Sequence, residues 1–182
     1  MMLCTLPYIV NIVKGKTKPN IVTWLTWTLL IAIAAVALFA AHQPQAALLL
    51  TGDALATFAV AIFGLGYGIA RLDGFDIGCQ IAALIGLGLW LVFNSPMIAV
   101  VATIVIDAIG TIPTLRHSWS HPEEETSSTF ALGVVATICT LLSLKAYSVS
   151  AWLYPLYLLL SNALLVVTIR HGEQLERAKQ SV

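Results

Sequence analysis

Charge is scarce in this sequence. Nine Lys and Arg and nine Asp and Glu make up a tenth of its 182 residues. The net charge is zero and no long run carries one sign, so nothing marks a nucleic-acid surface. Cysteine is scarce as well. Cys4, Cys79 and Cys139 are widely spaced and match no metal or redox pattern, so they read as small apolar packing residues. The sequence contains neither an HExxH pattern nor a Ser/His/Asp set, and its histidines fall in connections or at segment ends, which argues against a membrane enzyme. The last apolar segment has no lysine for a retinal Schiff base. Neither a metal nor a cofactor is expected. Positive charge follows the first apolar run instead of preceding it, and no A-x-A-like site is present, so the N-terminus does not read as a signal peptide.

What is plentiful is apolar. The chain is 59% hydrophobic, with a mean hydropathy of +0.90. A soluble domain of this size cannot hide that much apolar surface, so its solvent is lipid. Breaks in hydropathy divide the chain into seven segments, at about 1–13, 21–41, 46–70, 77–94, 96–115, 128–145 and 149–170, most of them close to the roughly 20 residues that cross a bilayer. The connections are KGKTKPN, HQPQ, RLDGFD, NSP, RHSWSHPEEETS and KAYS, with a polar tail at 171–182. In that tail Glu173 and Arg177 are spaced to pair over a helical turn or two.

Lys and Arg divide unevenly between the two sides. With the N-terminus outside, Lys14, Lys16, Lys18, Arg71, Arg116, Arg170, Arg177 and Lys179 face inward and only Lys145 faces outward. That is the positive-inside pattern of seven spans with the C-terminus in the cytoplasm. KGKTKPN therefore orients the chain. The first segment is short for a span, rising about 20 Å as a helix, and about eleven further residues are expected upstream of Met1.

A shift of 106 residues lays Leu6-Pro7 on Ile112-Pro113, Thr23-Trp24 on Thr129-Phe130 and Leu38 on Leu144, without a gap. Segments 1, 2 and 3 fall on 5, 6 and 7. The expected architecture is an all-α integral membrane protein with three plus one plus three spans, a parallel repeat about the membrane normal. Residues 1–70 form the first triplet, 77–94 the inverting linker and 96–170 the second triplet.

This arrangement, with Leu6-Pro7-Tyr8 and Ile112-Pro113-Thr114 near the cytoplasmic ends of the first helix of each triplet, resembles the SWEET and PQ-loop transporters. The family's glutamine after the proline is Tyr8 in one copy and Thr114 in the other. The phrases GKTKPNIVTW and PTLRHSWSHPEEE are similar to those of a group of uncharacterised bacterial membrane proteins. The resemblance implies a multi-pass protein of the bacterial inner membrane that carries a sugar or other small metabolite by alternating access, alone or as a homo-oligomer. It also implies that Asn162, in the last span, lines the substrate pocket. In the repeat register its partner is Ala56, and the nearest polar residue is Asp53, about one turn away. A non-transporting sensor or assembly partner with the same fold is the alternative.

Asp107 is the sharpest single feature. A carboxylate in mid-span is costly in lipid, and its expected roles are substrate or proton binding, or a strut between helices. Thr103, Gly110 and Thr111 share its helical face. Asp53 reads equally as a binding or a structural group. Trp24 and Trp27 lie on one side of the second span, as an aromatic belt or as a pocket wall, and Trp90, Trp152 and Tyr154 fit an outer belt. Pro7, Pro113 and Pro155 sit in or at the ends of spans, where proline permits a hinge. His117, His121 and Glu123 to Glu125 read as a solvated loop, with the glutamates favouring the start of the next helix. The opposite charges of Lys14, Lys16 and Lys18 and of Glu123, Glu124 and Glu125, in equivalent loops, suggest a cytoplasmic latch. Gly64, Gly66, Gly68, Gly86 and Gly88 read as close-packing positions.

Overall fold

The computed structural model describes residues 2–40, 42, 44–90, 96–144 and 149–180. Met1, Lys145, residues 91–94 of the linker segment, the surroundings of Gly86 and the side chain of Trp90 lie outside this description. Among the described residues seven helices follow in order: α1 (Met2–Val13), α2 (Ile21–Ala40), α3 (Pro44–Tyr67), α4 (Gly74–Trp90), α5 (Pro96–Ser120), α6 (Ser127–Ser143) and α7 (Val149–Gln180). A 3-10 turn, Pro122–Glu124, joins α5 to α6, and the described residues include no strand.

In hydrocarbon a backbone must satisfy its own polar groups, and a helix does so within one segment. The threonines follow the same economy. Thr26, Thr28, Thr51, Thr57, Thr111 and Thr137 each donate to the carbonyl four residues earlier, which lets a hydroxyl sit inside an apolar helix. KGKTKPN is a turn with a defined stop and start. Gly15, at φ 67°, ends α1: its amide reaches Ile12 O at 2.9 Å and that of Lys16 reaches Asn11 O at 2.9 Å, the Schellman arrangement. Asn20 then caps α2, its Oδ1 accepting from Val22 N at 3.1 Å. Asp73 begins α4 in the same way and accepts from the amides of Phe75 and Asp76, while Asp76 Oδ2 accepts from Asp73 N.

Three helices hold stretches long and apolar enough to cross a membrane, at Leu50–Tyr67, Val100–Ser120 and Trp152–Lys179, and Ile21–Val36, Gly74–Ile85 and Ser127–Ser143 are shorter apolar helices. Large apolar side chains such as Leu55, Leu65, Leu142, Leu160 and Val167 point outward. An apolar exterior of this extent is consistent with a helical membrane protein.

α3 packs against both α1 and α2, and α7 against both α5 and α6. Between these groups α2 meets α5 and α1 meets α6, while α4 lies on α5 and α2. Tyr8, Ile12, Trp24, Phe130, Leu165 and Ile169 share one core, and Leu30, Ala83 and Ile106 a second. The connections at 14–20, 68–73 and 121–126 gather at one end. There Ala70 N reaches Pro19 O at 3.0 Å, Arg116 pairs with Asp73 at 2.6 Å, and Gly172 lies against Pro122.

Two boundaries differ from the sequence reading. α5 runs on to Ser120 and takes His117 into the helix, because Pro122 restrains only the residue before it, His121. The tail is no separate turn: α7 continues to Gln180 as one helix, with Arg177 and Glu173 at 3.9 Å. The close helix contacts fall partly at the anticipated positions. Of the anticipated glycines Gly64 is tight, against Pro19, while Gly66 and Gly88 face open space. A Cβ on Gly110 would stand 2.6 Å from Thr26 Cγ2, and one on Gly133 2.5 Å from Asn162 Oδ1. Gly110 O also accepts Thr23 Oγ1 at 2.6 Å, which ties α2 to α5. Gly110→Ala is therefore expected to push α2 from α5 and destabilise the fold by about 1–3 kcal/mol. A thermal-unfolding midpoint equal to that of the parent would count against this contact.

Candidate solute-binding site

Asp107 sits mid-way along α5 and is 3% exposed. Tyr157 of α7 donates to its Oδ2 at 2.7 Å. Thr111, one turn on, donates to Asp107 O at 2.8 Å and lies 3.4 Å from Oδ2. Tyr154 is a further hydrogen-bond partner of the carboxyl, and its ring stacks on that of Tyr157 at 6.2 Å. Each of these partners is a hydroxyl, and none carries a positive charge.

The carboxyl opens on a cavity of about 90 Å³, several times the roughly 10–15 Å³ that one water needs on the same measure. Of the residues singled out from sequence, Asp107, Asn162, Asp53, Trp24 and Trp27 all line it. Ala56, the repeat-register counterpart of Asn162, lines it too. Thr103 does not; it is half-buried on α5, and Thr111 supports the carboxyl instead. Asn162 donates from Nδ2 to Leu158 O at 2.8 Å and keeps its Oδ1 against Gly133. Among the described residues two buried polar atoms of the lining have no hydrogen-bond partner, Trp27 Nε1 and Thr129 Oγ1.

Trp24 and Trp27 both line the cavity, where the pocket-wall reading puts them. Trp24 is buried among Tyr8, at 4.7 Å between ring centres, and Trp27, at 5.1 Å, and Trp27 meets Phe130 edge-on at 6.5 Å. Tyr154, read as an outer belt residue, also turns inward. The signal was available: Tyr154, Tyr157, Leu158, Ser161, Asn162 and Leu165 follow helical spacing and form one stripe of α7.

Pro7, Pro113 and Pro155 lie inside α1, α5 and α7. At the loop-gathering end a second polar group joins α1 and its turn to the α5–α6 connection. Lys18 pairs with Glu124 through the side chains, and Lys18 N donates to Glu124 O at 2.9 Å. Asn11 Nδ2 donates to Thr126 Oγ1 at 3.0 Å, and Thr17 and Thr126 share a hydroxyl bond of 2.5 Å. The other proposed latch residues divide. Lys14, Lys16 and Glu123 are exposed, whereas Glu125 turns inward, 6% exposed, and accepts from Tyr8 OH at 2.7 Å. Burial raises the Glu125 carboxyl to about 8, more than the Tyr8 hydroxyl lowers it. Glu124 and Glu125 are thus occupied across the interface, and the residue capping α6, Thr126, makes no side-chain cap. His117 stacks on His121 at 5.3 Å and lies 3.4 Å from Glu124.

No protein-family model, curated protein or solved structure matches this chain.

Proposed function

We propose that the chain is a small-solute transporter of the bacterial inner membrane, SWEET-like in plan, with seven spans, the N-terminus outside and the C-terminus in the cytoplasm. Its two moving parts are α1–α3 and α5–α7, with α4 as the inverting linker. The observation that carries this reading is the cavity itself: its walls come from both triplets, it holds a buried carboxylate, and a polar latch joins the same two triplets at one end.

The packing pattern supports the repeat. Contacts of α3 with α1 and α2 have counterparts in α7 with α5 and α6, and α2 on α5 answers α1 on α6. Lys18 and Glu124 stand 106 positions apart, the shift that aligns the triplets. Equivalent residues meet each other when they lie at a two-fold axis. Alternating access about such an axis needs a central site and breakable contacts at either end. A single ion pair with neighbouring hydroxyl bonds is of that kind, since exposed pairs contribute only about 0–1 kcal/mol.

The test is counterflow uptake by the purified chain in proteoliposomes, using pooled labelled sugars, amino acids and small acids. Saturable uptake absent from protein-free vesicles is expected. Silence from every pool, with well-folded protein, would favour a sensor or assembly role.

A further inference from the structure

We infer that the cavity takes a small organic cation, a protonated amine, with its ammonium group against Asp107 and its body against the aromatic wall. This deepens the transporter reading by naming its substrate class, and binding can be measured whether or not flux occurs.

Charge is the first argument. The lining carries Asp53 and Asp107, and among its described residues no Lys, Arg or His. Asp107 is surrounded by the hydroxyls of Tyr157, Thr111 and Tyr154, so its hydrogen bonding is supported while its charge is not balanced. Isolated charge in a low-dielectric interior calls for a counter-charge, and a cationic solute supplies one. An anion would meet two carboxylates and no partner.

The wall is the second. Trp24, Trp27, Phe130 and Tyr154 line the cavity, and aromatic rings attract a desolvated cation. A sugar would bring no positive charge to answer Asp107.

The unpaired atoms are the third. Thr129, 5% exposed, lines the cavity with an Oγ1 that has no partner, and Asn162 Oδ1 stands nearby while its Nδ2 is engaged by Leu158 O. Both oxygens accept, as N–H donors of an ammonium require. Trp27 Nε1 is an unpaired donor, suited to a hydroxyl on the same solute.

The probes are ethanolamine, tetramethylammonium, glucose and acetate, each tested for binding by equilibrium dialysis and for counterflow in proteoliposomes. Ethanolamine is expected to bind and to be weakened about tenfold or more by Asp107→Asn and by Trp27→Leu. Asp53→Asn serves as a second charge variant should Asp107→Asn fail to fold, and the unfolding midpoint of each variant is checked first. Binding of ethanolamine without flux would keep this site and overturn the transporter reading, whereas binding of tetramethylammonium alone would overturn the role of the two acceptor oxygens. Flux of glucose or acetate, with neither cation bound, would keep the transporter and overturn the cation class. Binding of neither cation and flux of no probe would overturn the inference.

Discussion

Asp107→Asn is expected to cut saturable uptake by about 10–100-fold while leaving the protein folded. Asparagine keeps the size of the side chain and an oxygen that accepts from Tyr157 OH, so the contact between α5 and α7 survives. What it loses is the negative charge facing the cavity. Hydrogen bonds to a charged group contribute roughly 1.5–3 kcal/mol, and each 1.4 kcal/mol is about a factor of ten. A carboxyl that served only as a strut between helices would tolerate the amide. Initial uptake rates, normalised to protein recovered as a single species of unchanged unfolding midpoint, separate the two. Full uptake by Asp107→Asn would make the residue structural.

The second large effect is a dependence of the latch on pH, set by Glu125. An exposed glutamate ionises near 4.5, whereas burial holds the Glu125 carboxyl at about 8. The closed form therefore binds the proton more tightly than an opened or unfolded one. Linkage then fixes the sign: the stability that Glu125 lends the closed latch is fully present below about 4.5, falls as pH rises and is lost by about 8. Tyr8 from α1 and Glu124 beside it face this carboxyl, with Lys18, His117, Glu123 and His121 around Glu124 and the turn. Glu125→Gln leaves all of them in place and removes only the titration. The variant is expected to flatten the fall in unfolding midpoint across this window and to be more stable than the parent near pH 8. Parallel pH profiles for parent and variant would contradict the assignment.

Individual residues show how far the sequence could be read. Hydropathy anticipated the seven helices among the described residues, because an apolar run that satisfies its own backbone polar groups does so as a helix. It exposed Asp107 for the same reason, since a carboxylate inside such a run is conspicuous. The pairing of Lys18 with Glu124 was suggested by opposite charges in loops that the 106-residue shift makes equivalent. The direction each helix turns was harder to read. In a helix apolar all round, periodicity does not separate the lipid face from the packed face, so Trp24 and Trp27 fitted a belt as well as the pocket wall, and they line the cavity. Glu125 was counted among the exposed charges of its loop, and only the position of Tyr8, 117 residues away, explains why it is buried. The same holds for Gly133, whose partner Asn162 lies on another helix.

Alternating access requires that the latch open in every cycle, and locking it tests this directly. Lys18 and Glu124 are joined through both backbone and side chains, which makes them neighbours suited to a cysteine pair. In a background without Cys4, Cys79 and Cys139, the double variant Lys18→Cys/Glu124→Cys would be reconstituted and assayed for counterflow before oxidation, after oxidation and after reduction, beside each single variant. The account predicts flux in the reduced protein, its loss on forming the disulfide, and its return with reductant, with neither single variant responding. Undiminished flux through a fully cross-linked protein would contradict it.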